Sequence, residues 1–394
     1  MSVVINAYSQ LKGDRVVWLI VSLLILFSLL VVYSTSGSVV YKMNAGSSTE
    51  YYLVRQLVFI AMGATLMYLA YRLHYMFYAK IAPILMIIAV PLLVYTFLFG
   101  VEINDAARWI KIPILDMSFQ TSDFAKLALI LYVARSLAMR QEYIKEFRNA
   151  FLPIIVPIVV VTGLIIPNDL STGALLFATC FLMMFIGRIS LKYVFLLIIS
   201  GALVFGLIYY IGLQFPEHVR VETWVSRVDE FLNSDGEYQV QQSKTAIASG
   251  SWFGVGPGNS VQRNILPYAY ADFIYAIICE EYGMLGGFAI VGLFLWLLFR
   301  SVRLVTRSPK TFGAILAIGL TLNIVVQAFA NIAVSVQLVP ATGLTLPLIS
   351  MGGTSFLFTC ISLGIILSVS RFVEKSYEEN RKVENLSVED ESNH

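Results

Sequence analysis

The stretch Val16–Ser34 reads VVWLIVSLLILFSLLVVYS and contains no charged residue. A helix crosses the hydrocarbon core of a membrane with about 20 apolar residues, so this stretch predicts a transmembrane helix. It lacks the small-residue cleavage site of a signal peptide, which favours a retained span. The whole chain is similarly apolar, since 58% of its 394 residues are hydrophobic and 13% are charged. Soluble domains carry about 25% charged residues, so the composition excludes a soluble protein.

Ten segments of the chain are apolar enough to be read as membrane spans. The fourth is interrupted by Asp123, Lys126 and Arg135, and the fifth and sixth are short. The segments are 16–34, 53–72, 80–99, 122–139, 151–166, 172–187, 193–215, 273–299, 312–334 and 343–370. We therefore expect an all-α integral membrane protein with about ten transmembrane helices.

The distribution of Lys and Arg predicts the orientation of the spans. With an even number of spans, most basic residues fall on the side that holds both termini. Because basic loops face the cytoplasm, both termini are expected to be cytoplasmic. The predicted membrane domain covers residues 1–371. The Glu- and Ser-rich segment 372–394 is expected to be a disordered cytoplasmic tail.

A large extracytoplasmic loop, residues 216–272, is expected between the seventh and eighth spans. It is too long for a simple connector, and loops of this length are usually functional or disordered. Trp224 and an amphipathic stretch at 221–232 favour an ordered loop that lies on the membrane surface. The glycine-rich stretch 249–260 follows no strand, so it is not a dinucleotide fingerprint. Tight turns with close backbone approach are favoured there over a backbone nest for phosphate.

Charged side chains at the membrane need an explanation, because each costs at least about 2.5–3.5 kcal/mol within a bilayer. Lys126 either pairs with Asp123 on the same helix face or faces a substrate. Glu280 and Glu281 are adjacent and point about 100° apart, so at least one should face a cavity or cap a backbone break. Asp272 directly precedes the eighth span, where it is either a helix N-cap or a reactive carboxylate.

The cysteines and histidines do not point to a catalytic or metal site. Cys180, Cys279 and Cys360 all lie inside apolar runs, and the three histidines are far apart in sequence. We interpret the cysteines as structural.

Seven groups of motifs follow one another along the chain. They comprise Arg55-Gln56, Arg108-Trp109-Ile110, FQTSDFAK at 119–126, PNDLSTG at 167–173, YQVQQS at 238–243 followed by the glycine run, LPYAYADFIYA with EEYG at 266–283, and PATG with LPLISMGGTS at 340–355. In this order and spacing the set resembles the SEDS family (shape, elongation, division, sporulation), the group of RodA and FtsW. The resemblance covers residues 12–371. The opening segments 11–15 and 31–34 are more similar to the division branch, FtsW, than to the elongation branch.

The chain departs from the family pattern at a few positions. The usual Gln-Pro-Ser-Glu reads Gln-Thr-Ser-Asp at 120–123, which keeps the carboxylate and loses the proline. Tyr268 and Tyr270 replace a usual Glu and His, and Met351 replaces an aromatic residue. None of these changes removes the candidate catalytic carboxylate.

The resemblance implies a peptidoglycan glycosyltransferase that polymerises lipid II at the outer face of the bacterial cytoplasmic membrane, at the division septum, and releases undecaprenyl diphosphate. It implies Asp272 as the catalytic residue. It also implies a substrate-binding set of Arg55, Arg108, Trp109, Gln120, Lys126, Gln242 and Ser243. The implied partners are lipid II, a class B penicillin-binding protein with transpeptidase activity and other division proteins, with no nucleic acid. No dedicated metal-ligand set is visible, so a divalent cation (Mg or Mn) near Asp272 stays open.

One carboxylate suits this chemistry, because a general base can deprotonate the attacking hydroxyl while the diphosphate leaves without an acid. Inversion at the anomeric carbon is the expected outcome. A lipid II flippase is an alternative, and it predicts charges at mid-membrane depth and an inverted repeat. A non-catalytic division scaffold is another, and it predicts that neutral substitutions at Asp272 and Lys126 leave growth intact. Trp109 either stacks on a sugar or anchors the aromatic belt.

Overall fold

The computed structural model describes residues 13–43, 49–103, 106–112, 117–214, 221–233, 238–266 and 269–392. Within these ranges the chain forms thirteen α-helices and one small sheet. The helices are α1 (Arg15–Met43), α2 (Thr49–Arg72), α3 (Tyr75–Phe99), α4 (Thr121–Met139), α5 (Leu152–Ile165), α6 (Leu170–Ile186), α7 (Leu191–Gln214), α8 (Val221–Asn233), α9 (Tyr238–Gly250), α10 (Gln262–Ile265), α11 (Ile274–Arg307), α12 (Thr311–Ser335) and α13 (Thr354–Ser392).

Ten of these helices correspond to the ten predicted spans. Eight of them, α1, α2, α3, α5, α7, α11, α12 and α13, are long and apolar enough to cross a membrane. The other two are α4, which carries three charged residues, and α6, which has only 17 residues. Most of α4 and half of α6 are buried among other helices, so protein rather than lipid surrounds their polar groups. The expected all-α membrane architecture with about ten spans is confirmed.

Three chain segments meet at one end of the helix bundle. Asp14 caps α1 by accepting a hydrogen bond from the Val16 amide at 2.9 Å. Its own amide donates to the Ser370 hydroxyl at 2.7 Å, and its carboxylate pairs with Arg300 at 2.7 Å. The start of α1, the end of α11 and the middle of α13 therefore lie together. Because the start of α1 and the middle of α13 lie at the same end, the chain must cross the bundle an even number of times from the first span to the last.

A small antiparallel sheet fills the connection between α3 and α4, and the sequence analysis did not predict it. Its strands are β1 (Val101–Ile103), β2 (Ala106–Ile112) and β3 (Met117–Gln120), paired in chain order. In β2, Trp109 faces Val101 on one side and Gln120 on the other. Strands of three to seven residues are too short for an alternating pattern to stand out between two long apolar runs.

The tenth span begins later than the sequence predicts. The predicted segment was 343–370, but α13 starts at Thr354, and the chain between α12 and α13 has no long helix. Pro340 and Pro347 interrupt this connection, and proline lacks the backbone donor that a helix needs. Asn331 holds it from α12 by donating to the Leu344 carbonyl at 2.6 Å. The connection, residues 336–353, is called the α12–α13 segment below.

The expected tail at 372–394 differs from the structure in the part that is described. The helix α13 continues without a break through Ser392. The segment is rich in good helix formers. The expectation of a disordered tail is therefore corrected to a helical extension up to Ser392, and the last two residues lie outside the description.

The loop between α7 and α11 folds into α8, α9 and α10, as expected for an ordered loop. Residues 216–220, 234–237 and 267–268, which include Tyr268, lie outside the described part of the chain. The ring centroid of Trp224 on α8 is 6.0 Å from that of Phe205 on α7. This contact joins the amphipathic helix to the membrane bundle.

The glycine-rich stretch packs its backbone against a kink in α11. At the kink Gly283 has φ 70°, a left-handed conformation that favours glycine. The Val255 amide donates to the Glu280 carbonyl at 2.9 Å, and the Gly256 amide donates to the Glu281 carbonyl at 3.1 Å. A Cβ on Gly254 would lie 2.2 Å from the Glu281 carbonyl oxygen. The interpretation of these glycines as a close backbone approach is confirmed.

The two adjacent glutamates of α11 hold this loop in place. The Glu280 carboxylate accepts hydrogen bonds from the Ser260 hydroxyl and from the Val261 amide, the latter at 3.0 Å. The Glu281 carboxylate accepts a hydrogen bond from the Ser34 hydroxyl on α1. Both side chains are buried, and their role is to cap backbone and join elements. The three cysteines are likewise buried and unpaired.

Candidate active site

A polar cavity of about 420 Å³ opens at one end of the bundle. Its walls come from α2, α4, α6, α8, the sheet and the α12–α13 segment. Six of the residues that the sequence analysis assigned to the site line it: Asp272, Arg55, Arg108, Trp109, Gln120 and Lys126. Elements far apart in sequence therefore bring the expected carboxylate and three expected cations to a single space.

Asp272 lies in the turn that precedes α11 and is not the cap of that helix. The N-cap is Phe273, and no side chain caps the first turn. The backbone around Asp272 is fixed from other elements instead. Asn331 donates to the Asp272 carbonyl at 2.7 Å, and the Ser350 hydroxyl donates to the Ala271 carbonyl at 2.6 Å. These bonds hold the carboxyl group in the cavity wall, so the N-cap interpretation is wrong.

The surroundings of Asp272 change its acidity. Burial raises the pKa of the Asp272 carboxyl to about 6, although Arg227 and Arg108 act to lower it. The negative charge of Asp169 adds to the increase in pKa. A carboxyl group with this pKa is mostly ionised at neutral pH. It is also a stronger base than an ordinary aspartate, as proton abstraction requires.

Arg108 enters the cavity from β2 and is held on two sides. Its Nη1 atom lies 3.2 Å from Oδ2 of Asp169, and its Nε donates to the Asn168 carbonyl at 2.7 Å. Asp169 also caps α6 by accepting a hydrogen bond from the Thr172 amide at 3.0 Å. The guanidinium group is thus positioned by the short α6, and part of its charge is neutralised.

Lys126 forms the ion pair that the sequence left open, and its contact with a substrate stays a prediction. Its Nζ atom lies 2.8 Å from Oδ1 of Asp123, three residues earlier on α4, and both side chains are almost fully buried. The same two residues line the cavity. The ion pair therefore supports the lysine and leaves it adjacent to any molecule in the cavity. Gln120 precedes α4, and its backbone N–H donates to the Thr354 hydroxyl at 3.3 Å.

A second, mostly apolar cavity of about 420 Å³ adjoins the first. The two share Arg108, Asp169 and Arg227 in their walls. Apolar side chains of α6, α8, α12 and the α12–α13 segment line the second cavity, including Leu175, Ala178, Trp224, Val228 and Val326. A molecule with a charged head and an apolar chain would fit across the two.

Comparison with known proteins gives the family of the chain. The sequence model of the FtsW, RodA and SpoVE proteins, described as a cell cycle protein, matches residues 14–375. The chain belongs to the FtsW/RodA/SpoVE family. The matched range includes every cavity residue described above.

Relatives within the FtsW/RodA/SpoVE family match most of the chain. A probable peptidoglycan glycosyltransferase FtsW of Nitrosococcus halophilus (strain Nc4) is 33% identical over 341 residues, covering 85% of this chain and 86% of the relative. Stage V sporulation protein E of Bacillus subtilis (strain 168) is 34% identical over 366 residues, covering 91% of this chain and 97% of the relative.

Solved structures share the FtsW/RodA/SpoVE fold. A chain from a peptidoglycan synthase complex, described as coordinating polymerization and crosslinking, has a TM-score of 0.72 at 24% identity, covering 92% of this chain and 98% of its own. The rod shape determining protein RodA of Thermus thermophilus has a TM-score of 0.66 at 23% identity, with coverage of 92% and 98%. These similarities show that the fold is shared.

Two residues of this chain that were expected to bind substrate do not line its polar cavity. Gln242 and Ser243 are on α9, and neither lines the cavity. The Ser243 hydroxyl is fully buried and donates to the Ser335 carbonyl at the end of α12, at 2.8 Å. Ser243 joins the loop to the bundle in this way, and the assignment of Gln242 and Ser243 to substrate binding stays an untested prediction.

Arg227 and Asp169 line the cavity, and the sequence analysis did not assign them to it. Arg227 lies on α8 and donates to the Ala341 carbonyl at 3.1 Å. The sequence showed that Arg227 lies on the amphipathic stretch 221–232. It did not show which face of this helix packs against the bundle. Asp169 lies within the family motif PNDLSTG, which was a usable signal.

The divalent cation considered for this site has few ligands available. In the part of the chain that the structure describes, no group of three or more His, Cys, Asp or Glu side chains is arranged to hold a metal ion. Asp169 is paired with Arg108 and Asp123 with Lys126, whereas Asp272 forms no ion pair with any residue in the described part of the chain. A cation near Asp272 stays an untested prediction.

Proposed function

We propose that the chain is a peptidoglycan glycosyltransferase that polymerises lipid II at the outer face of the cytoplasmic membrane during cell division. The observation that carries this proposal is the Asp272 carboxyl in one cavity with Arg55, Arg108 and Lys126. The names of the relatives supply the reaction class. The geometry supplies a base and a set of cations where that reaction needs them.

Asp272 acts as the general base in the proposed reaction. Its carboxylate takes the proton of an acceptor sugar hydroxyl as that oxygen attacks the anomeric carbon of the donor. The new carbon–oxygen bond forms while the bond to the diphosphate oxygen breaks. Undecaprenyl diphosphate leaves with the electron pair. Because one displacement occurs without an enzyme nucleophile, the configuration at the anomeric carbon inverts.

The cavity cations stabilise the leaving diphosphate. A leaving group of this kind develops negative charge, and fixed positive groups lower the energy of the transition state. Arg55 exposes its side chain on α2 at the cavity. Arg108 and Lys126 are already held in position by Asp169 and Asp123, so little reorganisation is needed when substrate binds.

The adjoining apolar cavity suits a lipid-linked substrate. It is lined by apolar side chains of α6, α8, α12 and the α12–α13 segment, next to the cations of the first cavity. The polyprenyl chain would lie along this surface while the diphosphate and sugars occupy the polar cavity. Trp109 is close enough to the site to stack on a sugar ring.

The positions of the charges favour a polymerase over a flippase. Asp123 and Lys126 lie in the first two turns of α4, and Asp272 precedes α11. The charges therefore collect at one membrane surface, whereas a transporter is expected to hold its substrate near the midplane. A scaffold without activity would not need a carboxyl group of raised pKa beside three cations.

The membrane orientation, the location and the partners of the enzyme are part of the same proposal. We place both termini in the cytoplasm, the Asp272 cavity at the opposite surface and the protein at the division septum. A class B penicillin-binding protein is the proposed transpeptidase partner, together with other division proteins. Membership of a structural neighbour in a peptidoglycan synthase complex supports this choice of partner.

The test is an assay with the purified full-length chain, its transpeptidase partner and labelled lipid II. The expected products are glycan strands of increasing length and released undecaprenyl diphosphate. The partner incubated alone with lipid II is the control and should form neither. Movement of lipid II across liposomes without any glycan product would contradict the proposal and support the flippase.

A further inference from the structure

A second polar cavity lies at the end of the bundle opposite Asp272. It has a volume of about 470 Å³ and is enclosed by the start of α1, the end of α11 and the middle of α13. Asp272 precedes α11 and Arg303 lies near its end. A helix rises 1.5 Å per residue, so the part of α11 from its kink at Gly283 to Arg303 is about 30 Å long. This length matches the hydrocarbon core of a bilayer, so the cavity lies at the membrane surface opposite Asp272.

The cavity carries more positive than negative charge. Four arginines line it: Arg15, Arg300, Arg303 and Arg307. Asp14 is already engaged, because its Oδ2 atom accepts hydrogen bonds from Nε of Arg300 at 2.7 Å and its Oδ1 atom caps α1. Among the lining residues, Glu374 is the one other carboxylate. The cavity therefore favours an anion.

Three of the arginines lie on one face of α11, and two of them stack on aromatic rings. Arg300, Arg303 and Arg307 follow the spacing that places side chains on one face of a helix. The guanidinium of Arg303 stacks 5.3 Å from the ring centre of Phe299, and that of Arg307 lies 5.6 Å from the ring centre of Tyr377. Stacking occupies the face of a guanidinium group and leaves its N–H edge available. That edge matches the geometry of a phosphate group.

Apolar side chains adjoin the arginines on the side of the membrane interior. Leu19 follows Arg15 by one turn of α1 and is 42% exposed. Phe299 precedes Arg303 by one turn of α11 and is 55% exposed. A phosphate seated among the arginines would thus be adjacent to a surface that accepts hydrocarbon chains. This combination of charge and apolar surface describes a phospholipid.

We propose that this cavity, called the arginine cavity, binds the phosphodiester headgroup of an anionic phospholipid from the leaflet opposite the Asp272 cavity. Basic residues at the cytoplasmic ends of spans also serve to orient membrane proteins. If these arginines only oriented the protein, they would not need to converge from two helices on one cavity. Asp14, the carboxylate beside them, would also not need to be paired already. The proposal does not depend on the glycosyltransferase function.

Lipid retention by the purified full-length chain tests the proposal. The chain in neutral detergent is mixed with equal amounts of phosphatidylglycerol and phosphatidylcholine of the same acyl length, and bound lipid is counted by native mass spectrometry. The wild type should retain phosphatidylglycerol preferentially. Arg303→Gln with Arg307→Gln should reduce that retention about tenfold or more, since two cations that attract the anionic headgroup are lost. Arg15→Gln, on another helix, should also reduce it.

The matched control removes two exposed basic residues that do not line the arginine cavity, Arg148→Gln with Lys192→Gln. This variant should keep the wild-type preference. An equal loss in both double variants would mean that charge in general attracts the lipid, and the proposal would be wrong. A further arm adds inorganic phosphate at the same concentration as the lipid. Displacement of phosphatidylglycerol by this equimolar phosphate would overturn the assignment to a lipid and indicate a site for soluble phosphate compounds.

Discussion

Burial and nearby cations shift the pKa of the Asp272 carboxyl in opposite directions. Burial is the larger effect and raises the pKa to about 6, while Arg227 opposes it more strongly than Arg108. The balance keeps the carboxyl ionised at neutral pH and still able to take up a proton. The pKa of Asp272 therefore depends on the charges around it, and one of these charges, Arg227, lies on α8.

This balance predicts the pH dependence of polymerisation. The rate should rise with pH through about 6 and become level above it, because the ionised carboxylate is the active form. Arg227→Gln removes a cation that lowers the pKa of Asp272, so the midpoint of the profile should move to higher pH. The measurement is the initial rate of glycan synthesis from lipid II across pH.

Lys244→Gln removes an exposed charge from α9, outside the cavity, and should leave that midpoint in place. A profile that Arg227→Gln does not move would contradict the assigned electrostatic contact.

Some residue assignments could be made from the sequence and others could not. Motif order and membrane charge led to Asp272, Lys126 and Arg108, because charged residues at a bilayer need partners or a function. Arg227 was missed because an amphipathic helix shows its polar face without showing what that face meets. The place of Ser243 away from the cavity could not be predicted either, because a motif position reflects packing as readily as binding, and its hydroxyl donates to backbone.

At the scale of elements, the site depends on backbone that is not helical. The three-stranded sheet carries Arg108 and Trp109, and the α12–α13 segment carries Gly343 and Thr345 into the cavity wall. The apolar spans follow from the sequence because burial in lipid requires long apolar runs. The short strands and the late start of α13 depend on tertiary hydrogen bonds, such as those from Asn331, and these leave no periodic pattern.

The packing of α9 against α11 gives a prediction at this scale. A Cβ on Gly250 would lie 1.9 Å from the Cys279 carbonyl oxygen, so Gly250→Ala must force the two helices apart. We expect a loss of about 1–3 kcal/mol or more in stability, seen as a lower melting temperature of the purified chain.

The matched control is Gly292→Ala on α11, where a Cβ would meet no atom within 4 Å. This variant should melt at or above the wild-type temperature, since alanine favours a helix over glycine. Equal melting temperatures for Gly250→Ala and the wild type would contradict the close approach of α9 and α11.

At the scale of the whole molecule, two polar sites occupy opposite ends of one helical bundle. The helix α11 connects them, with Asp272 before its start and the Asp14–Arg300 pair near its end. Its kink at Gly283 receives the glycine-rich stretch of the loop. The Asp272 cavity and this loop therefore belong to one surface, and the termini of the membrane domain belong to the other.

This arrangement predicts which sites a membrane-impermeant maleimide can reach in intact cells. Phe253→Cys lies on the glycine-rich stretch, where the native side chain is 82% exposed, and should be labelled from outside. Lys310→Cys lies between α11 and α12 and should be labelled only after permeabilisation. The native cysteines are buried, so the otherwise unchanged chain serves as the unlabelled control. Labelling of Lys310→Cys in intact cells would contradict the proposed orientation.

The most direct test of the proposed base is the polymerisation rate of Asp272→Asn, measured with purified full-length chain, transpeptidase partner and labelled lipid II. Asparagine keeps the shape of the side chain but cannot accept the proton. The rate should fall by at least about 100-fold, the usual contribution of a general base, while lipid II binding is retained. Glu222→Gln, which neutralises an exposed carboxylate of α8 outside the cavity, should keep the wild-type rate. An unchanged rate for Asp272→Asn would contradict the proposed mechanism.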